Sequence, residues 1–321
     1  MPFYRCIPPT SGGGGGGSGS CEHISVVDNG VTYEPMLNFN TCVIYMTKDY
    51  GYADFNSPIT VGDKVLQING LCRGCPNFNS PVNMINATNL SRIYDAFYHC
   101  DNFNQPVRFP DSNLAVYSNV FLGATKYNQP TTFYINSLST SVGASLYQSL
   151  SGCTEFNSKV DFNLGANIKS VNYYSLLHGA TSFNQPLLFR KSSRVTNVLN
   201  NATNMECPLL IEFSNEAYAS YQIIENTKIN TVIILNYSNF SIVTSWRPAS
   251  SGITYYVDDV ATFTSKAQWL SIAIQNGVSF TQVTNGVYNA AYNIYVLNNV
   301  NDGCNYFNNF YYNFYGEYPI Y

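Results

Sequence analysis

The residues of this chain that most directly suggest chemistry are its nine cysteines. Cys72 and Cys75 have the C-x-x-C spacing with which two thiolates hold a zinc ion. A structural zinc site takes four ligands, and the sequence contains no second C-x-x-C or C-x-x-H pair, so we predict no metal site. Five cysteines do not fit the repeat pattern described below, and sequence alone leaves their disulfide pairing open: Cys6, Cys21, Cys42, Cys207 and Cys304.

The histidines and carboxylates do not form the pattern of an active site. His23, His99 and His178 are scattered, and the last two have the positions of exposed residues at the edge of a predicted helix. Glycoside hydrolysis needs two carboxylates that flank the sugar bond. The carboxylates of the repeats occupy differing repeat positions instead of one shared row: Asp54, Asp63, Asp95, Asp101, Asp111, Glu155 and Asp161. We therefore predict that the protein is not an enzyme and that it has no catalytic residue and no cofactor.

The elements that must position these residues are near-copies of one short stretch. Its clearest copy is FNQPLLF at residues 183–189, and successive copies begin 22 to 29 residues apart. Self-similarity at such a period is typical of a solenoid, in which each repeat forms one turn. The residue that begins each copy is called the corner residue and has position 0. Residues after it have positive numbers, and the residues of the same repeat that precede it have negative numbers. The corner residues are Phe55, Phe78, Phe103, Tyr127, Phe156, Phe183 and the degenerate Met205.

The first residues of each repeat predict a tight turn followed by a strand. Apolar residues recur at +4 and +6, as at Ile59 and Val61, so each repeat contributes a short strand with one face inward, and stacked turns form a parallel sheet. Proline recurs at +3, just before the strand, and is replaced by Lys159 in one copy. The asparagine at +1 suits either a turn or an internal ladder that satisfies loop backbone groups. These asparagines are Asn56, Asn79, Asn104, Asn128, Asn157 and Asn184.

Before each corner residue, the pattern predicts a helix. Positions −10, −7, −6 and −3 are apolar or small, as at Ile93, Ala96, Phe97 and Cys100, and this spacing corresponds to one face of a helix. Because some copies have alanine at −3, the cysteines at that position are predicted to be small buried residues. Each repeat is therefore predicted to contain a short helix or helical turn, an aromatic corner and a strand. The fold class that follows is an α/β repeat solenoid.

The FN(Q/S)P(L/V) repeats resemble BspA-type leucine-rich repeats and the related FNQPL repeats of mycoplasmal and Gram-positive surface proteins. The resemblance covers residues 53–213, and the copies with Lys159 and with Met205-Glu206-Cys207 depart from it. It implies a leucine-rich-repeat-like solenoid with short parallel strands. It also implies an adhesion or binding scaffold, of a kind found on bacterial surfaces and in phage tails, without shared catalytic residues.

The composition is typical of a recognition surface. Only 11% of the residues are charged, whereas the 27 tyrosines and 20 phenylalanines outnumber the 15 Lys and Arg residues. Tyrosine, serine and asparagine supply rigid contact area and adaptable hydrogen bonds. The net charge of −4 argues against nucleic acid as a partner, because phosphate binding needs a basic field.

The sequence shows no route of export. The N-terminal residues lack an apolar stretch that would serve as the core of a signal peptide, and no segment is long enough for membrane insertion. Two explanations stay open, namely a virion protein that leaves the cell as part of a particle, or a mature chain without its leader. We expect a location on the virion surface or tail, with the bacterial cell surface or secretion as the alternative.

Composition and pattern divide the chain into five segments. They are an anchor peptide and Gly-rich linker at 1–20, an N-terminal cap at 21–52, the solenoid at 53–235, a small α+β cap at 236–300 and an aromatic tail at 301–321. The solenoid ends with a strand at 228–235, and the cap contains a strand at 253–257, a helix at 263–274 and a hairpin around Asn285-Gly286. The N-terminal peptide is either an anchor or a disordered terminus, or its glycines pack between subunits.

The function that we expect is non-enzymatic recognition of a host-surface glycan or protein, with the N-terminal peptide docked on other virion proteins. A structural assembly protein of the particle, in which the aromatic tail builds a homo-oligomer, and a bacterial adhesin are the alternatives. Solenoids bind through the outward positions of their sheet, which are the residues at +5 unless the caps cover that face. The predicted contact residues are Asn83, Arg108, Thr132, Asp161 and Leu188.

Overall fold

A computed structural model of the chain describes residues 53–112, 114–136, 143–185, 187–207, 209–214 and 222–235, together with the backbone of short strands outside these ranges. The chain forms two compact units, unit 1 (Met1–Ile168) and unit 2 (Lys169–Tyr321). Among the described residues both units consist of strands and turns, and neither contains a helix.

The strands of unit 1 are short. They are β1 (Phe3–Tyr4), β2 (Cys6–Ile7), β3 (Ser20–Cys21), β4 (Val26–Asp28), β5 (Val31–Tyr33), β6 (Met36–Asn38), β7 (Val43–Tyr45), β8 (Ile59–Val61), β9 (Gln67–Asn69), β10 (Val82–Asn83), β11 (Arg92–Tyr94), β12 (Val107–Arg108), β13 (Val116–Ser118), β14 (Thr131–Ile135), β15 (Ala144–Ser145) and β16 (Val160–Leu164).

Turns of unit 1 contribute strands to two faces. On the first face, after the corners, β8, β10 and β12 pair in parallel, and β14 pairs in parallel with β16. On the second face, before the corners, β7, β9, β11, β13 and β15 pair in parallel in that order. Unit 1 is therefore a parallel β-solenoid, and the strand predicted after each of its corners is confirmed.

Unit 2 contains one parallel ladder in chain order. Its strands are β17 (Val171–Asn172), β18 (Leu187–Arg194), β19 (Leu209–Phe213), β20 (Thr231–Leu235), β21 (Thr254–Val257) and β22 (Ser279–Gln282). The strands predicted at 228–235 and 253–257 are confirmed in type. Because β21 and β22 extend the ladder, parallel stacking continues beyond residue 235, the predicted end of the solenoid.

The helical turns predicted before the corners are wrong. Their apolar positions are buried as expected, since Ile93, Ala96, Phe97 and Cys100 are all fully buried. The backbone there is a strand followed by successive tight turns. The apolar spacing of one helical face is therefore produced by a different backbone path.

The backbone hydrogen bonds of these turns explain the difference. In the repeat with corner Phe103, every second amide donates to a carbonyl of the next repeat, at 2.7 to 2.9 Å: Asp95 to Ser118, Phe97 to Val120 and His99 to Leu122. The intervening amides donate three residues back, within the same repeat: Tyr98 to Asp95, Cys100 to Phe97 and Phe103 to Cys100. A helix needs its amides for bonds four residues back. Bonding between repeats therefore replaces helix formation.

Left-handed residues at two fixed positions make this path. In every repeat from corner Phe78 to corner Met205, positions −8 and −4 have φ between 50° and 80°. The residues are Gly70 and Gly74, Asp95 and His99, Asn119 and Gly123, Gln148 and Gly152, Ser175 and Gly179, and Asn197 and Asn201. A right-handed helix cannot continue through such residues, and side chains other than glycine pay a conformational cost of about 1–2 kcal/mol there.

The corner aromatics of unit 1 form a continuous stack in the core. Successive rings have centroids 5.6 to 5.9 Å apart and planes within 12° of parallel. Phe97 and Phe121 interleave with this column, with ring centroids 4.2 Å from Phe103 and 3.9 Å from Tyr127, respectively. Each ring is fully buried, and burying one such side chain contributes about 1.5–3 kcal/mol.

Two buried tyrosines at position −10 connect the two faces of their own turn. The Tyr117 hydroxyl donates to the carbonyl of Tyr134 at 2.8 Å, and in unit 2 the Tyr173 hydroxyl donates to the carbonyl of Arg190 at 3.0 Å. A buried hydroxyl without a partner costs about 1–3 kcal/mol. The tyrosine at this position therefore both fills the core and satisfies a carbonyl on the opposite strand.

The predicted segments outside the repeats are described only in part. Residues 3–4 (β1) pair in parallel with β8 of the same chain, while β2 with β3, β4 with β5 and β6 with β7 pair antiparallel. The glycine run at 12–17, the helix predicted at 263–274, the Asn285-Gly286 turn and the aromatic tail at 301–321 lie outside the described residues, as do Pro186 and Pro208.

We predict that alanine at the left-handed glycines destabilises unit 1 to different degrees. In Gly152→Ala the added Cβ meets only ordinary contacts, so the cost is the left-handed conformation alone, about 1–2 kcal/mol. In Gly123→Ala the Cβ also lies 2.5 Å from His99 Nδ1, so the loss of unfolding free energy is larger. The control is Gly143→Ala, where φ is unexceptional and no heavy atom lies within 4 Å. Chemical denaturation that ranks Gly143→Ala as the most damaging contradicts this account.

Stability is also predicted to fall at alkaline pH. Burial raises the pKa of the Cys72, Cys100 and Cys153 thiols and of the Tyr117 and Tyr127 hydroxyls well above their ordinary values. Above about pH 8.5 for cysteine and about pH 10 for tyrosine, the unfolded chain loses these protons while the folded chain keeps them. The free energy of unfolding therefore falls by about 1.4 kcal/mol per group for each further pH unit. Denaturation midpoints at pH 8 and pH 10.5 test this, and equal midpoints contradict it.

Candidate functional site

Four of the five predicted contact residues lie on the solvent-facing side of the first face of unit 1. Asn83 and Arg108 are exposed and directly opposite each other on β10 and β12. Thr132 and Asp161 are half-buried and directly opposite each other on β14 and β16. On each of these strands the flanking apolar residues point into the core, as the period-two pattern predicts. We call these four residues the outward row.

The members of the outward row differ in how freely they are displayed. Asn83 Oδ1 accepts a hydrogen bond from the Ile85 amide at 3.1 Å, which fixes the side chain. Asp161 Oδ2 is 3.0 Å from Lys159 Nζ, and Asp161 Oδ1 is covered without a hydrogen-bond partner. The exposed pair of Asn83 and Arg108 is therefore the accessible part of the row.

The fifth predicted contact residue, Leu188, is misassigned. It is only 3% exposed, and its neighbours Leu187 and Phe189 are buried as well. Its partner across the ladder, Leu210, is 4% exposed. Because β18 and β19 are covered on both faces here, the period-two pattern does not distinguish an outward side in this part of unit 2.

The corner asparagines form a ladder, and the ladder lies at the surface instead of inside. In five of the six, Oδ1 accepts the amide of the corresponding residue one repeat later, at 2.7 to 2.9 Å. The donors for Asn56, Asn79, Asn104, Asn128 and Asn184 are the amides of Asn79, Asn104, Asn128, Asn157 and Glu206, respectively. The ladder satisfies loop amides that no strand pairs, so these residues are structural.

The serine or glutamine at +2 uses the same acceptor. Gln129 Nε2 donates to Asn104 Oδ1 at 3.0 Å, and Ser158 Oγ donates to Asn128 Oδ1 at 2.9 Å. The short serine side chain and the longer glutamine side chain can thus both donate a hydrogen bond to the asparagine of the preceding repeat. This accounts for the Q/S alternation in the repeat.

The cysteines fall into two classes. Cys72, Cys75, Cys100 and Cys153 are buried free thiols, as predicted for the repeat positions. The Cys100 thiol donates to the Cys72 carbonyl at 2.7 Å and the Cys153 thiol to the Phe121 carbonyl at 3.0 Å, so both serve packing. Cys207, one of the five left open by the sequence, is disulfide-bonded.

A cluster of polar and aromatic side chains that the sequence did not single out lies on the turns before the corners Phe78 and Phe103. Arg73 Nε is 3.5 Å from Asp95 Oδ2, and its guanidinium lies 5.2 Å from the centroid of the Tyr98 ring. Tyr98 contacts the His99 ring edge-on at a centroid distance of 4.4 Å. His99 Nδ1 is 3.9 Å from Asp101 Oδ1. We call these five residues the turn cluster.

His99 is the unusual member of the turn cluster. It occupies position −4, where Gly74, Gly123, Gly152 and Gly179 stand in four other repeats, and it has the same left-handed backbone, with φ of 51°. An alignment of the repeats with one another would have singled out this residue, because it is a histidine where four other repeats have glycine. The signal was missed because the predicted helix gives no reason to expect glycine at position −4.

Neither a metal site nor a membrane span is found in the part of the chain that the structure describes. No group of three His, Cys, Asp or Glu side chains there has the arrangement to hold a metal ion. In the same residues there is also no helix with the length and apolar character to cross a bilayer.

Removal of one rung of the asparagine ladder is predicted to destabilise unit 1. Asn104→Ala removes the acceptor of both the Asn128 amide and the Gln129 side chain, which costs about 1–2 kcal/mol. Asn104→Asp keeps an acceptor oxygen and retains most of this stability. Asn86→Ala, at an exposed asparagine outside the ladder, is the matched control with an effect within about 0.5 kcal/mol. Equal denaturation midpoints for Asn104→Ala and the control contradict the structural role.

Comparison with known proteins identifies the repeat family. Residues 45–163 and 112–209 match the family model described as "Mycoplasma protein of unknown function, DUF285". No curated protein and no solved structure matches the chain. The two matched ranges together cover more than half of the 321 residues and include every corner from Phe55 to Met205. The resemblance to mycoplasmal repeat proteins is thereby confirmed, and the chain belongs to the DUF285 family of Mycoplasma proteins of unknown function.

Proposed function

We propose that this protein is a non-enzymatic recognition protein that contacts a glycan or protein of a host surface through the solvent-facing side of its solenoid. The observation that carries the proposal is the outward row of unit 1, in which Asn83 and Arg108 stand exposed and in register on neighbouring strands. A parallel solenoid holds such residues on a rigid backbone at a spacing of about 4.8 Å per strand. Rigid display lowers the entropy cost of binding.

The chemistry of the exposed pair suits a polar ligand. Arg108 offers a planar set of donors, and Asn83 offers an amide whose orientation is fixed by the Ile85 backbone. Arginine is among the residues that most often dominate binding energy at interfaces. The Tyr-, Ser- and Asn-rich composition supports the same function, because such residues combine contact area with adaptable hydrogen bonds.

The disulfide at Cys207 supports a location outside the reducing cytoplasm. Disulfides persist in secreted proteins and at cell or virion surfaces, whereas cytosolic thiols are kept reduced. The proposed location is therefore a virion surface or tail, or alternatively a bacterial cell surface. The further partners proposed are other virion proteins at the N-terminal peptide and further copies of the chain.

Immunogold labelling tests the location. An antibody raised against residues 53–213 is applied to particles and to cells of the source culture. We expect label on the outside of particles, or on the cell envelope if the alternative location is right. Label confined to the cytoplasm or to the interior of particles contradicts a surface recognition function.

Binding to cells tests the contact surface. We predict that the variant Asn83→Ala/Arg108→Ala weakens binding of the purified protein to cells of the host by about tenfold or more, which corresponds to about 1.4 kcal/mol. Both side chains are exposed, and the only hydrogen bond described for them that is lost is the one from the Ile85 amide to Asn83, so an unchanged circular dichroism spectrum is required of the variant. Glu155→Ala, at an exposed residue just before the corner Phe156 and outside the row, is the control and retains binding. Flow cytometry with labelled protein measures both variants, and equal binding by the double variant rejects the outward row as the contact surface.

A further inference from the structure

The turn cluster combines four kinds of interaction within a small exposed area. Arg73 supplies a guanidinium, Tyr98 an aromatic ring, His99 an imidazole and Asp101 a carboxylate. The side chains of Arg73, His99 and Asp101 are 48%, 56% and 53% exposed. The cluster therefore presents donors, acceptors and an apolar ring to the same solvent.

The backbone under the cluster is strained at the residue that completes it. His99 adopts the left-handed conformation that four other repeats assign to glycine, at a cost of about 1–2 kcal/mol. The other repeats have the same left-handed backbone at this position, so what distinguishes His99 is an imidazole where glycine would cost less. The imidazole of His99 lies against Gly123 of the next repeat, where a Cβ would be only 2.5 Å from Nδ1. The glycine in that neighbouring turn thus leaves the room that the imidazole occupies.

The charge and size of the cluster decide which ligand it fits. The cluster contains one guanidinium and two carboxylates, with Asp95 beside Arg73 and Asp101 beside His99, so it has no excess of positive charge for a phosphate or an acidic sugar. A stable protein interface buries about 800 Å² on each side around apolar anchors, which five mostly polar side chains do not supply. A neutral saccharide has hydroxyls that both donate and accept and an apolar ring face. These features match the carboxylate, the guanidinium and the tyrosine ring.

We propose that the turn cluster is a binding site for a neutral saccharide. Tyr98 packs against the apolar face of the sugar ring, Asp101 accepts hydrogen bonds from its hydroxyls, and Arg73 and His99 donate to its oxygens. The Asp95 carboxylate holds the guanidinium in place, and Asn119 Nδ2 in turn donates to Asp95 Oδ1 at 2.9 Å. The site rests on the proposed function, because it makes a glycan of the host surface the ligand, and it adds a contact surface separate from the outward row.

His99→Gly is the sharpest test, because it removes the imidazole and relieves the left-handed strain at once. The probes are immobilised neutral gluco-, galacto- and manno-oligosaccharides. We expect the full-length protein to bind at least one of them and His99→Gly to bind it at least about tenfold more weakly, with an unchanged or higher melting temperature. Asp101→Asn, a surface substitution that keeps the side-chain volume, is the second variant and also weakens binding. Glu155→Ala, at an exposed residue outside both the turn cluster and the outward row, is the control and retains saccharide binding.

The outcomes separate this site from the general function. Binding to host cells without binding to any neutral oligosaccharide overturns the saccharide site and leaves the recognition function standing, whereas absence of both rejects both. Saccharide binding that is unchanged in His99→Gly and Asp101→Asn overturns the location. Periodate oxidation of the cells is expected to abolish the part of the binding that depends on His99. Binding that resists periodate and is lost after protease treatment shows a protein ligand and overturns the proposal.

Discussion

The structure depends on backbone hydrogen bonds between equivalent positions of successive turns. In the turns before the corners Phe78, Phe103, Tyr127 and Phe183, every second amide donates to the next repeat, and other amides close tight turns within their own repeat. A buried amide without a partner is costly, so no turn of this kind is stable alone. The repeats must stack in register, and the columns of equivalent residues follow from that requirement.

A column is the set of residues at one equivalent position of successive repeats. Each column has one structural role, and this role explains which residue types occur in it. The corner column stacks aromatic rings, the +1 column passes a hydrogen bond from one asparagine to the next amide, and the −3 column accepts only small side chains such as Ala124 and Cys153. The −8 and −4 columns require left-handed backbone. A substitution in one repeat is therefore felt in the adjoining turn, as the short approach of His99 to Gly123 shows.

The period of the repeats and the positions of the strands after the corners were predictable, because both follow from the spacing of apolar residues along the sequence. The turns were not, since the i, i+3, i+4, i+7 spacing at Ile93, Ala96, Phe97 and Cys100 fits a helical face and a chain of tight turns equally well. The discriminating signal was glycine at −4 in four of the six repeats, together with glycine, asparagine or aspartate at −8 in four of the six. Leu188 was misplaced for a related reason, because alternation marks an outward side only where one face meets water.

Columns also show where function can reside. Residues that repeat in every turn are explained by the stack, so the recognition function proposed above is to be sought at positions where a side chain differs from its equivalents in the other repeats. Arg108 lies in an outward position with no structural demand, and His99 occupies a position at which glycine is less strained. A solenoid keeps its hydrogen-bonded frame when such residues change. The same frame can therefore carry different exposed residues, and the family match identifies this frame.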